Sequence, residues 1–317
     1  MGRKMKTIVR LDNISKWYGE VVAVNNLTCD LKEGITGFLG PNGAGKTTTL
    51  KMINGIIAPN LGKVTVFGED PWDNMELRKK IGVIFEMGNL YDWMTGEDFV
   101  RTMGRLSGLR GQDLDKGVEK ALKIANLYEA KNRRLKGYSH GMRQKIKIAQ
   151  AIVHDPQILI LDEPLGGLDP ISRRYISDLI RDWEKEGKDL IMSSHVLHEV
   201  EAVAKKIVLI FQGKLLAQGS IEAIRRLIDE RPHTIKVKID KPKEFVKEIL
   251  EYDFISSIAF LDKDSLIVRT KNPEEFYTVF PQIVASKGFE VEFMGVMDES
   301  LEAVFNYLTM RTKRTKM

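Results

Sequence analysis

Along the front part of the chain, short apolar runs alternate with stretches in which apolar residues recur every third or fourth position. Ile8–Leu11, Val21–Leu27, Gly34–Leu39, Lys63–Phe67 and Ile81–Phe85 read as strands. Leu50, Ile53 and Ile57 share one face of a helix predicted over 47–57, and Pro59-Asn60-Leu61-Gly62 reads as the turn that follows. From Thr95 to Leu127 charged faces and few β-branched residues predict a helical insertion between strands. Met142, Ile146, Ala149 and Ile152 then recur at helical spacing over 143–153. The run that opens at Gln157 is continuously apolar over Ile158–Leu161, as in a strand at the centre of a parallel sheet with both faces covered. A turn at 166–170, a helix through Trp183, a strand over 189–194 and two strands around Gly213 close this region near Gly219.

The texture changes after Arg231-Pro232-His233. Ile235, Val237 and Ile239 alternate with polar residues, and Phe245 and Ile249 mark a helix. Two alternating segments follow (Ile258/Phe260, Leu266/Val268), then a helical one with Phe276, Val279 and Ile283, then a strand with Val291 and Phe293. The order βαββαβ predicts a ferredoxin-like unit. Leu301, Val304, Phe305 and Leu308 add a terminal helix started by Asp298. Pro281 argues against an unbroken second helix. No chemical constellation marks this part, which reads as an accessory domain for dimer contact or regulation.

Totals narrow the class. The chain has 317 residues, 43% hydrophobic and 29% charged, which fits two soluble globular domains. No apolar run approaches the ~20 residues that span a bilayer, and the N-terminus lacks a signal-peptide core. Cys29 stands alone, which excludes an internal disulfide and a cysteine-based zinc site and suits a reducing cytosol. The net charge of +5 is mild, and the basic run Arg311–Lys316 reads as a solvated terminus rather than a lipid- or nucleic-acid-binding arm. No nucleic-acid partner is expected.

The chemistry centres on Gly40-Pro41-Asn42-Gly43-Ala44-Gly45-Lys46-Thr47, which fits G-x-x-x-x-G-K-[ST] between a predicted strand and a predicted helix. Glycines let successive N–H groups curl around phosphate oxygens, and the helix start adds its positive dipole end. Lys46 then reaches the outer phosphates and Thr47 the magnesium of a nucleoside triphosphate. Lys16-Trp17-Tyr18-Gly19 reads equally as a packed hairpin corner or as a ring laid over a purine. Ser139 and Gly141 form a capped helix start, a common feature and also a ready anion site. The buried strand ends in Asp162 and Glu163, at the sheet edge where ligands bind in open α/β folds. Asp162 suits magnesium and Glu163 suits an attacking water. His195 ends another strand at that edge, which favours a γ-phosphate contact.

Taken in order, these pieces make residues 6–222 resemble the ATP-binding subunit of an ATP-binding cassette (ABC) transporter. The resemblance rests on the phosphate loop, Tyr138-Ser139-His140-Gly141-Met142, Leu161-Asp162-Glu163-Pro164, Gly167-Leu168-Asp169 and His195. Tyr138–Lys145 and Ser300–Phe305 look like the exporter branch called ABC-2 type. The resemblance implies an α/β P-loop cassette with a mixed sheet, an antiparallel β subdomain and a helical subdomain near 90–152, followed by the α+β domain at 231–312. It implies that Tyr18 stacks on adenine and that Gly40 to Thr48, Thr48 included, wraps the phosphates. Asp162 joins Thr47 on Mg2+, Glu163 is the general base, and His195 senses the γ-phosphate. Ser139 and Gly141 serve the nucleotide of a second copy, so the active form is a homodimer around ATP, and Asp169 is a further nucleotide-binding residue. It also implies a separately encoded membrane permease, with this chain on the inner face of the cell membrane. Two positions depart from the family's usual pattern: Glu86 stands where glutamine is usual and is a candidate magnesium and coupling residue, and His140 and Met142 replace the usual glycine and glutamine. Rival expectations are a soluble ABC ATPase, as in metallocluster assembly, and a ligand-sensing module.

Overall fold

The computed structural model describes residues 6–85, 90–224 and 233–296. The chain divides between Ile221 and Glu222 into two compact units. In the first unit, β1 (Thr7–Tyr18) and β2 (Val21–Lys32) form a long hairpin. The strand runs on through Lys16-Trp17-Tyr18, beyond the short segment its apolar residues predict. The reason is visible in the register, which shifts several times and so breaks the alternation that marks a regular strand.

β3 (Ile35–Leu39) is buried throughout and leads into the phosphate loop and α1 (Lys46–Ile53). The helix ends four residues before the predicted Ile57. Gly55 has φ +69°, and a Cβ there would lie 2.0 Å from the Pro71 carbonyl oxygen, so the chain turns at the one residue that fits. Ile57 still packs against the core after the turn. β4 (Leu61–Val66) pairs with β1 and completes a three-stranded antiparallel sheet, β2-β1-β4. The short α2 (Met75–Arg78) leads to β5 (Ile81–Ile84).

The helical layer is α3 (Gly96–Leu106), α4 (Gly111–Ile124) and α5 (His140–Ile152), closed over Phe99, Val100, Leu114, Val118, Leu122 and Ile146. Thr95 caps α3 by accepting from the Asp98 N–H, which fixes where the insertion begins. β6 (Ile158–Asp162), α6 (Pro170–Lys185), β7 (Asp189–Ser194), α7 (Leu197–Glu201), β8 (Lys206–Phe211) and β9 (Lys214–Ser220) complete the unit. The central sheet has the order β5-β6-β7-β3-β8-β9. Its first five strands are parallel and β9 is antiparallel, so it is mixed. Parallel strands place their C-terminal ends on one edge, which brings together residues distant in sequence: the loop after β3, Asp162 at the end of β6 and His195 after β7. Cys29 is buried in this unit, and burial pushes its thiol up to about 12.

The second unit holds β10 (His233–Ile239), α8 (Pro242–Ile249), β11 (Ile255–Phe260), β12 (Ser265–Thr270), α9 (Pro273–Lys287) and β13 (Val291–Val296). The antiparallel order β11-β12-β10-β13 is that of a ferredoxin-like fold. Ile235, Val237 and Ile239 meet Phe245, Phe276 and Phe280 in its core. α9 passes through Pro281 without a break, because the proline lies on the exposed face, where water can replace the lost bond. The predicted helix from Asp298 lies outside the described residues. Among those described, no helix is long and apolar enough to cross a membrane.

Candidate functional site

The loop between β3 and α1 is shaped by glycines. Gly43 and Gly45 have φ +76° and +99°, and a Cβ on Gly40 would sit 2.3 Å from the Ile210 carbonyl oxygen. A side chain at any of the three would strain or displace the loop. Gly45 is the N-cap of α1, so the N–H groups of Lys46, Thr47 and Thr48 occupy the first turn, where no intrahelical acceptor exists. Pro41 closes the bend by accepting from the Ala44 N–H at 3.1 Å, while Asn42 is exposed at its tip. The Gly40 N–H donates to the Ser194 carbonyl at 3.3 Å, which ties the loop to the end of β7.

Lys46 is buried and turned back into the loop. Its Nζ donates to the carbonyl oxygens of Gly40 (2.7 Å) and Pro41 (3.2 Å) and lies 3.3 Å from Glu163 Oε1. That carboxylate oxygen is within ion-pair range but outside hydrogen-bond geometry, and no other group satisfies it. The opposite oxygen, Oε2, lies 3.0 Å from His195 Nδ1. Glu163 is 8% exposed and has φ +49°, a left-handed conformation that a non-glycine residue adopts at a cost. A buried carboxylate with one unsatisfied oxygen in a left-handed backbone conformation costs stability.

Asp162 is fully buried beside it. One oxygen accepts from the Thr47 hydroxyl at 2.7 Å and the other from the Ser193 hydroxyl at 2.5 Å. The Ser193 oxygen in turn accepts from the Glu163 N–H at 3.0 Å. Ser193 therefore sets both acids, and nothing in local spacing predicts it. The only signal is a pair of hydroxyls at the end of an apolar strand, with partners 31 and 30 residues away.

A second group lies at the starts of α5 and α6. Ser139 caps α5 by accepting from the Met142 N–H at 3.3 Å, and its residue is exposed. Asp169 caps α6 by accepting from the N–H groups of Ile171 (3.1 Å) and Ser172 (2.9 Å). The Ser172 bond, above all, holds the Asp169 carboxyl below its ordinary range. The two starts are neighbours: a Cβ on Gly141 would lie 3.2 Å from Ser172 Oγ and 3.8 Å from Asp169 Oδ2. α5 is also fastened to the acid loop, because the Gln144 side-chain amide donates to the Pro164 carbonyl at 3.0 Å. Tyr18 stands apart at the hairpin end, about half exposed, with Lys16 Nζ 5.7 Å from its ring centroid. Glu86 lies outside the described residues.

A glycine-lined loop on a helix start, a buried lysine and two carboxylates at the same sheet edge define an α/β nucleotide-binding protein of the P-loop class. Comparison with known proteins sharpens the class. Residues 24–166 match the ABC transporter family model. The chain is 32% identical over 308 residues to the ABC transporter ATP-binding protein YxlF of Bacillus subtilis (strain 168), covering 94% of this chain and 98% of that one. It is 32% identical to Nod factor export ATP-binding protein I of Rhizobium sp. (strain N33), covering 85% and 88%. The dimeric ATP-binding cassette MJ0796, solved in a post-hydrolysis state bound to ADP and phosphate, superposes with a TM-score of 0.62 at 25% identity, covering 68% of this chain and 99% of that one. The chain belongs to the ATP-binding proteins of ABC transporters. It is a nucleotide-binding ATPase subunit.

Proposed function

We propose that this chain hydrolyses ATP at a site shared with a second copy, and that closure of the pair drives a separately encoded ABC-2-type membrane exporter. The N–H groups of Gly43 to Thr48 bind the phosphates, and Lys46 exchanges the Gly40 and Pro41 carbonyls for the outer phosphate oxygens. That exchange loosens Lys46 from Glu163. The unsatisfied Oε1 of Glu163 then takes the proton of the attacking water, while His195, held at Oε2, contacts the γ-phosphate. Tyr18 stacks on the adenine. Thr47 and Asp162 fit Mg2+, which favours oxygen donors and binds through one or two protein ligands plus phosphates. When bound, the ion neutralises charge on the phosphates. Glu86 remains a candidate for metal contact and for coupling to the permease.

Ser139, Gly141 and Asp169 serve the partner copy's nucleotide. The exposed cap of α5 supports this, since a helix start with serine and glycine offers N–H groups to an anion arriving from outside. The dimeric state of MJ0796 supports it too. The observation that carries the export reading is that likeness to the Nod factor export protein covers 85% of this chain and so extends beyond the cassette. The chain then works in the cytoplasm, at the inner face of the membrane, through its permease.

Two measurements test this. Ser139→Arg fills the α5 start with a bulky cation and is expected to abolish hydrolysis while each monomer still binds ATP. Unchanged ATPase activity would sink the shared site. Tagged Glu163→Gln chain, extracted from its own cells in mild detergent, is expected to retain a stoichiometric polytopic membrane protein. Recovery with soluble partners alone would point to a role outside transport.

A further inference from the structure

Glu199 lies in α7, four residues after His195, and is 5% exposed. A carboxylate this buried needs partners, and it has two. Oε2 accepts from the Ser194 hydroxyl at 2.7 Å, and Oε1 lies 3.6 Å from Arg173 Nε. Arg173 stands in the first turn of α6, and its Nη2 donates to the Leu168 carbonyl at 3.3 Å. The Ser194 hydroxyl oxygen also accepts, from the Val196 N–H at 3.0 Å. One hydroxyl thus joins the residues on both sides of His195, and Glu199 accepts its hydrogen bond and so fixes its direction. The His195 side chain is itself 48% exposed, so packing alone does not hold the ring.

We propose that Glu199, charge-balanced by Arg173, is the positioning residue for His195, acting through Ser194 to hold the imidazole against Glu163. This rests on the reading of His195 given above. The same pair anchors the Leu168 carbonyl, so the turn before α6 and the strand end carrying His195 are tied to one ion pair whose carboxylate is buried. Without the carboxylate the Ser194 hydroxyl turns freely, the Val196 N–H loses a fixed acceptor, and the ring drifts from Glu163. A displacement of about 1 Å at a reacting group costs up to about a hundredfold in rate.

A double-mutant cycle on the full-length chain tests the proposal, with thermal melts to confirm folding and a fluorescent ATP analogue to report affinity. Glu199→Ala is expected to lower kcat about tenfold to a hundredfold, with analogue affinity changed by less than about twofold. In a His195→Ala background the same substitution is expected to change kcat by less than about twofold, because its effect passes through the ring. Glu199→Gln keeps an acceptor for Ser194 and is expected to recover most of the rate. Equal losses in both backgrounds, or normal turnover in Glu199→Ala, would overturn the assignment. Should Glu199→Ala melt too low to assay, Arg173→Ala, whose side chain is 39% exposed, probes the same link and must show the same dependence on His195. If His195→Ala alone leaves kcat unchanged, the reading of His195 fails and the pairing with it, and that single variant tells the two failures apart.

Discussion

The two units bury different kinds of polar group. Among the described residues, the buried charged groups of the cassette are Lys46, Asp162, Glu163 and Glu199, gathered where the strands β3, β6 and β7 end. In the second unit the buried polar residues described are Thr234, Ser265 and Thr270, hydroxyls only. Thr270 shows how such a group is absorbed: it donates to the Phe254 carbonyl at 2.9 Å and leaves no charge to balance. Taking a charge out of water costs several kcal/mol even after relaxation, and a fold that needs only a core has no use for that cost. Among the described residues, buried charge therefore separates the cassette from the second unit.

The largest expected effect comes from removing one of those charges. Glu163→Gln keeps the shape of the side chain but removes the proton acceptor and the negative charge near Lys46. Turnover is expected to fall by about 10²–10⁴-fold, with ATP binding retained because the loop and Lys46 are intact. Single-turnover hydrolysis and equilibrium binding check this. Near-normal turnover would mean that the unsatisfied Glu163 oxygen is a structural accident, and the contrast between the units would lose its meaning.

The complementary experiment attacks the packed unit. Phe245 is fully buried, with Phe280 and Phe289 meeting its ring edge-on at 5.4 and 5.9 Å. Phe245→Ala is expected to cost about 3–5 kcal/mol. The loss should appear as faster hydrogen exchange over 233–296, while basal ATPase activity of the chain stays within about twofold, as for a site with its own core. A parallel loss of ATPase activity would show that the second unit supports the reacting edge.

Part of the contrast is legible in the amino-acid order. Lys46 and Thr47 stand out through the G-x-x-x-x-G-K-[ST] pattern, and Asp162, Glu163 and His195 because each ends or follows a predicted strand, ends that a parallel sheet gathers on one edge. The βαββαβ order follows from alternation alone. Ser193 and Glu199 are not legible, because what matters in them is a contact across the fold. A serine closing a strand and a glutamate in a short helix are ordinary until Asp162 and Ser194 are seen beside them. The end of α1 escapes the spacing for a similar reason: Gly55 is forced to turn by Pro71, which no pattern between them announces. The pairing of the α5 and α6 starts, Gly141 against Ser172 and Asp169, is another contact that only the fold supplies.

A smaller effect sharpens the comparison within the cassette, away from the reacting edge. His154 follows α5 and packs at the start of β5, where its Nε2 lies 3.1 Å from the Ile81 carbonyl oxygen. That carbonyl only accepts, so Nε2 carries the proton, and Nδ1 is buried with no hydrogen-bond partner. A second proton there has nothing to bind, and burial, the main cause, holds the imidazole below its ordinary value of 6.5. The sign follows from linkage: well above 6.5 both folded and unfolded chains are neutral at this residue and its contribution is complete. As pH falls below that value the unfolded chain takes up the proton first, and stability declines until the folded ring also titrates. The wild-type chain should therefore melt at a lower temperature at about pH 5.5 than at about pH 7.5. His154→Gln, which keeps a donor for Ile81 but cannot titrate, should show a measurably shallower dependence. Equal slopes for the two chains would assign the acid sensitivity to other groups, and this histidine would then be no more than a packed spacer between the helical layer and the sheet.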